Sequence, residues 1–174
     1  EAVNVISVAR LSQEKGIDRG IKAVHQAIKN GINIKYHIVG DGIKRNELQE
    51  LGANLNISDN IFFYGNSDNP YRFMKNADLL LIPSFHEAAP LVIDEARCLG
   101  LPILSTETTS SQDMIINTDS GWVCENSQER INELLYKLVS QKEPLKQKQV
   151  QMQKKEINNN IALKQFFYML ETKI

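Results

Sequence analysis

The sequence is poor in residues that would staple, coordinate a metal or span a membrane. Cys98 and Cys124 are the only cysteines in 174 residues. They form no CxxC or Cys/His cluster, so a zinc site and a disulfide framework both lack support. A reducing, cytoplasmic compartment fits that usage. The longest apolar run, Leu79-Leu80-Leu81-Ile82, is far below the ~20 residues a transmembrane helix needs. No Asp-x-Asp pair, a common way to hold a metal-bound diphosphate, occurs. Net charge is −1, but unevenly spread: residues 1–139 carry 13 Lys/Arg against 18 Asp/Glu, and residues 140–174 carry 7 against 3. An acidic body argues against a nucleic-acid footprint over the main fold. The basic tail reads first as a solvated helix face and second as a contact for a phosphate-bearing surface. Residue 1 is Glu and no charged-then-apolar leader follows. The expectation is a trimmed chain whose N-terminal neighbour is absent.

What remains is the composition of a globular chain, 42% hydrophobic and 24% charged. Its length fits one domain that buries roughly 70% of its unfolded surface without covalent staples. Strands alternate with helical stretches to about residue 140. Strands are expected at Val3–Val8, Ile34–Val39, Ile61–Gly65, Asp78–Ile82, Pro102–Ser105 and Gly121–Val123. Between the first two, Ile17, Ile21, Val24 and Ile28 recur at helical spacing. Leu48, Leu51 and Leu55 do so after the second strand, and a helix from about Leu91 to Leu99 has Pro90 before it and Gly100 after it. Short helical pieces are expected at Tyr71–Asn76 and Ser111–Ile116, and Ile131, Leu134, Leu135 and Leu138 form a stripe after Ser127. Nearly all-apolar strands alternating with helices specify an α/β fold: a doubly wound, mainly parallel six-stranded sheet flanked by helices, Rossmann-like. Residues 1–140 form that domain, and 141–174 a C-terminal helical extension. Within it, 141–160 reads as a polar helix or arm, followed by an amphipathic helix carrying Ile161, Phe166, Phe167 and Leu170.

In such a sheet a ligand lies beyond the carboxyl ends of the strands, so the strand-to-helix loops carry the chemistry. The first loop holds Arg10 and Lys15 and ends in Gly16. Two cations there could clamp a diphosphate, although solvated cations are common on loops. The second, Gly40-Asp41-Gly42, lacks the Gly-x-Gly-x-x-Gly pattern that opens a dinucleotide site. Turn punctuation is its first reading and close backbone approach to a ligand its second. The fourth-strand loop is the most informative. Glu87 precedes the helix and Glu95 lies inside it, with seven residues between, and small residues Ala88 and Ala89 follow Glu87. Amides of Leu91 and Val92 begin that helix and form a natural anion site. Carboxylates beside it could accept hydrogen bonds from sugar hydroxyls, or Glu87 could simply complement the helix dipole. His86 is the histidine nearest this loop. Trp122 and Phe62-Phe63 read as core.

Residues 3–139 resemble the C-terminal, donor-binding half of retaining family 4 glycosyltransferases, which have two facing Rossmann-like domains (the GT-B type). Four motifs carry the resemblance in order: Val8 to Gly16 as phosphate loop; Gly40-Asp41-Gly42 with Arg45 and Leu48; Pro83-Ser84-Phe85-His86-Glu87 to Glu95-Ala96; and Gly100-Leu101-Pro102-Ile103. The chain departs from it at Ala88-Ala89, where Gly-Phe is frequent, and at Ser110-Ser111, where a glycine pair is common.

The resemblance implies that Arg10 and Lys15 bind the diphosphate and stabilise the leaving nucleotide, with Glu87 as the third catalytic candidate, contacting the donor sugar. It places Glu95 on the ribose, the amides of Leu91 and Val92 on the distal phosphate, Gly40 at the donor, and the base beside Gly65 and Asn66. The reaction implied is transfer of a hexose or N-acetylhexosamine from a nucleotide-diphosphate sugar to a sugar hydroxyl in polysaccharide biosynthesis, with retention and without metal or cofactor. A UDP-sugar ranks first and a GDP-sugar second. The acceptor, a glycan or lipid-linked sugar, would sit largely on an N-terminal domain outside this chain. The expected location is cytoplasmic, with a peripheral position at the inner face of the cell membrane as an option. A sugar-nucleotide epimerase of the same two-domain design, or a non-catalytic nucleotide- or protein-binding module, are the alternatives.

Overall fold

The computed structural model describes residues 2–88 and 90–157. The expected helix carrying Ile161, Phe166, Phe167 and Leu170 lies outside the described residues.

Six strands form one sheet: β1 (Val3–Val8), β2 (Ile34–Val39), β3 (Ile61–Gly65), β4 (Leu79–Ile82), β5 (Ile103–Thr106) and β6 (Gly121–Cys124). Their order is β3-β2-β1-β4-β5-β6, and every neighbouring pair is parallel. Among the described residues, six helices connect and cover them: α1 (Ile17–Lys29), α2 (Arg45–Asn54), α3 (Tyr71–Met74), α4 (Leu91–Cys98), α5 (Gln128–Gln141) and α6 (Glu143–Ile157). The sheet is therefore doubly wound, with the order reversing between β1 and β4.

Its core has two layers. Val5, Ile21, Val24, Tyr36, Ile38, Leu79 and Leu104 belong to the layer that α1 and α5 cover. Ile6, Met74, Leu80, Ile93, Ala96 and Ile103 form the opposite layer, under α3 and α4. All four residues of β4, an apolar run, are buried between two helical layers, and so are all four of β5, whose Thr106 hydroxyl donates to the Ser84 carbonyl.

The sequence places helix from Ser127 onward, and the structure breaks it once. Ser127 caps α5, its hydroxyl accepting from the Arg130 amide, and the chain turns at Lys142 (φ 55°). Pro144 then sits in the first turn of α6, where its missing N–H costs nothing. Although α6 is mostly polar, Leu145 and Met152 are buried and Lys148 pairs with Asp119, so this helix lies on the body. The expected short helix at 111–116 is a wide turn, Gln112–Ile116, with i to i−5 bonding from Asn117 to Gln112.

Candidate functional site

β1 and β4 pair only at Val5 with Leu79 and Ile6 with Leu80. Beyond those pairs the Ser7 hydroxyl donates to the Leu81 carbonyl and the strands give way to their loops. At this reversal point opens a cavity of about 440 Å³, lined by the ends of β1 and β4 and by Arg10, Lys15, Ser84, Glu87, Leu91 and Val92 among others. Five of the residues singled out from sequence therefore meet in one place, drawn from loops about seventy residues apart.

The two loops are locked together. Gly16 ends the first with φ +60°, and a Cβ there would stand 2.2 Å from the Pro83 carbonyl oxygen. Only glycine satisfies both the left-handed backbone and that approach. The Phe85 amide donates to the Glu14 carbonyl at 2.8 Å. Lys15 Nζ contacts both Glu87 carboxylate oxygens, at 2.8 and 2.9 Å, and Ser84 Oγ donates to Oε1 at 2.8 Å. Glu87's side chain is 9% exposed and that of Lys15 25%. Arg10 stands exposed at the rim. On the outer side of the loop Ser12 bonds Glu14 and holds its carboxyl below the usual carboxylate range.

The first turn of α4 borders the same cavity. Pro90 precedes it in extended conformation, and the first amides of a helix have no intrahelical partner. Leu91 and Val92 thus bring a positive backbone end to a pocket that already holds two cations and one carboxylate.

The other candidates lie around this centre. Glu95 is one turn further along α4, half-buried, and accepts a hydrogen bond from the Tyr71 hydroxyl at 3.1 Å. Burial first and Glu95 second push the Tyr71 phenol up. Gly40 (φ +133°) does not line the cavity. Its missing side chain makes room for the Ala9 carbonyl oxygen, 1.9 Å from where a Cβ would be, and its amide donates to Gly65. Gly40 and Gly65 therefore stitch the β2 and β3 loops to the β1 loop, and Asn66 is exposed just beyond. Arg45 pairs with Asp41 at 3.1 Å in the same group of loops. His86 is exposed and does not border the cavity. Phe63 and Trp122 pack against the core, whereas Phe62 stacks on His37 at 5.2 Å.

Sequence reasoning missed Arg19 and Asn126. Arg19 is 4% exposed, and its guanidinium donates to the Pro83 carbonyl and Asn126 Oδ1 and lies 4.3 Å over the Phe85 ring. Arg19 lies between Asp18 and Lys22 in a charged helix start, so the sequence carries no signal that sets it apart. Among the described residues no group of three or more His, Cys, Asp or Glu gathers as a metal site. No described helix is long and apolar enough to cross a membrane.

Residues 2–161 match the family of glycosyl transferases group 1. This chain belongs to that family. It is 33% identical over 132 residues to the lipopolysaccharide glucosyltransferase WaaG of Escherichia coli, covering 73% of this chain and 34% of WaaG. It is 28% identical over 131 residues to the amylovoran biosynthesis glycosyltransferase AmsK of Erwinia amylovora, covering 71% of this chain and 32% of AmsK. The chain thus spans about a third of the length of these relatives. The crystal structure of WaaG superposes with a TM-score of 0.77 at 29% identity, over 87% of this chain and 41% of WaaG. The Anabaena protein HepE, solved with UDP and glucose, shares the fold with a TM-score of 0.79 at 17% identity, over 99% of this chain and 49% of its own. The domain is a glycosyltransferase domain of the GT-B architecture.

Proposed function

We propose that this chain is the donor-binding half of a retaining glycosyltransferase that moves a hexose or N-acetylhexosamine from a nucleotide-diphosphate sugar to a sugar hydroxyl during glycan biosynthesis. The observation that carries the reading is the convergence of Arg10, Lys15 and the first turn of α4 on one cavity at the strand-order reversal. A diphosphate fits that charge pattern, and the relationship to WaaG and AmsK supports glycan assembly as its setting.

In this reading the bond between the sugar's anomeric carbon and the phosphate oxygen breaks, and its electron pair passes to the departing nucleoside diphosphate. Negative charge grows where Arg10, Lys15 and the amides of Leu91 and Val92 are already aimed, so the protein supplies the stabilisation without a metal. The acceptor hydroxyl adds from the same face of the sugar and its proton goes to the leaving phosphate oxygen. Glu87 accepts from the donor sugar's hydroxyls, with Lys15 bridging carboxylate and phosphate. Glu95 takes the ribose hydroxyls, and the base lies towards Gly65 and Asn66, with Gly40 supporting the floor between them. UDP-sugars come first and GDP-sugars second, HepE's bound UDP supporting that order. The acceptor, a glycan or lipid-linked sugar, sits largely on a second domain outside this chain, and the enzyme works in the cytoplasm.

A thermal-shift panel of UDP-, GDP- and ADP-sugars, with and without EDTA, tests the reading. A ligand at a hundred times its dissociation constant adds about 2.7 kcal/mol of stability. An EDTA-insensitive rise in Tm with UDP-sugars is expected, and the chain alone should give no transfer. A flat response to the whole panel overturns the donor site, and EDTA-sensitive binding overturns metal independence.

A further inference from the structure

The loops at the carboxyl ends of four strands meet behind the cavity on one polar post. Arg19, in α1, follows β1. Its guanidinium donates to the Pro83 carbonyl (3.2 Å) in the loop after β4 and to Asn126 Oδ1 (2.7 Å) in the loop after β6. Asn126 then uses its amide nitrogen twice, donating to the Phe85 carbonyl (3.0 Å) and to the Glu107 carbonyl (3.2 Å), which follows β5. Gln128, at the start of α5, donates to the Arg19 carbonyl at 3.0 Å and so holds α5 to the same helix. The Phe85 ring lies on the guanidinium face. No carboxylate among the described residues forms an ion pair with Arg19, and burial holds its pKa below the ordinary arginine value.

A guanidinium without a counter-ion is a costly group to bury. What a guanidinium supplies that an apolar group cannot is a planar donor set in fixed geometry. Two of the donated bonds of the post end on the loop after β4 that borders the cavity, at the Pro83 and Phe85 carbonyls, a third joins Arg19 to Asn126, and the bond to Glu107 anchors the post to the loop after β5. Pro83 also contacts Gly16, the residue after Lys15, and Ser84 and Glu87 lie within the next few positions.

We propose that Arg19 and Asn126 are positioning residues for the donor cavity: they fix the Pro83–Glu87 wall so that Glu87 reaches Lys15 across it. This rests on the donor-site reading for its consequence, but not for its geometry. Neither residue lines the cavity, so both act through the wall alone.

Three variants of the full chain test the post. Asn126→Ala removes the acceptor for Arg19 and both loop donors. Asn126→Asp keeps an acceptor for Arg19, now charged, and loses the two donors. Backbone hydrogen exchange is read at Phe85, whose amide donates to Glu14, against the core amides of β1 and β4. UDP titration by calorimetry is run alongside. Both variants should speed exchange at 84–87 at least tenfold with β1 and β4 unchanged, and weaken UDP at least threefold. Arg19→Lys should behave likewise, since one ammonium cannot reproduce the fork.

Unchanged exchange at 84–87, or a rise shared equally with β1 and β4, overturns the proposal, because the residues would then serve only global stability. Faster exchange at 84–87 with UDP affinity unaltered also overturns it, since the wall would not matter to the ligand. Should the unaltered chain bind no UDP, the donor-site reading falls, and the exchange result alone decides whether the post holds the wall.

Discussion

The Lys15–Glu87 pair makes the account quantitative. Lys15 touches both carboxylate oxygens within 3 Å, and the carboxylate is nearly buried. Replacing Lys15 with Met leaves Glu87 with the Ser84 hydroxyl as its remaining partner in that contact set. Hydrogen bonds to charged groups contribute about 1.5–3 kcal/mol, and the partial exposure of Lys15 argues for the lower half, so Lys15→Met should cost about 2 kcal/mol. Glu87→Gln retains an acceptor and should cost about 1 kcal/mol. The double variant should be more stable than the two losses added together, with a coupling of roughly 1–2 kcal/mol. Urea unfolding with unchanged slopes measures all four corners. The same variants act in one direction on binding. Glu87→Gln loosens the carboxylate that orients Lys15 towards the cavity and should weaken UDP about threefold, and Lys15→Met removes the cation itself and weakens it further. A coupling below about 0.3 kcal/mol, within the scatter of independent sites, refutes the pairing. Unchanged or tighter UDP binding on Glu87→Gln refutes the orienting role.

Gly16→Ala should lower stability by more than about 2 kcal/mol in urea unfolding, since left-handed backbone costs an L-residue about 1–2 kcal/mol before the collision with the Pro83 carbonyl is counted. A loss under 1 kcal/mol would mean that the two loops are not locked there. His37 gives a pH signature. Burial first and Lys35 second hold its pKa below the ordinary value of about 6.5. The unfolded chain then binds more protons in the window below about 6.5, so His37's contribution to stability is complete above that pH and shrinks as pH falls through it. His37→Gln should flatten the urea midpoint between about pH 7 and pH 5. An unchanged slope there contradicts the assignment.

The sheet was legible because its strands are short apolar runs bounded by turn residues. Val3–Val8 and Ile34–Val39 end in the structure where the pattern ends them. The expected start at Pro102 moved to Ile103 because proline can only accept in the ladder, and its carbonyl takes the Leu80 amide. The break at Lys142 escaped a reading based on periodicity, although Pro144 marks it. The gathering of Arg10, Lys15, Glu87, Leu91 and Val92 followed from topology, since the reversal point lies between β1 and β4 and those residues follow these strands. Arg19 did not follow, because single-stripe periodicity assigns α1 one buried face. That helix is buried on two sides, against the sheet and against α5, so positions flanking the stripe are enclosed as well. The supporting role of Gly40 was equally hidden: its constraint is the Ala9 carbonyl, thirty-one positions away in sequence.

The most direct test of the central claim is calorimetric titration of UDP into the purified chain and into an Arg10→Ala, Lys15→Ala double variant. Saturable one-to-one binding is expected for the first. The second should lose about 3–6 kcal/mol at most, from two charged contacts. Equal affinity for both proteins, or no heat from UDP, GDP or ADP with the unaltered chain, would contradict the assignment of the β1–β4 cavity as the donor site.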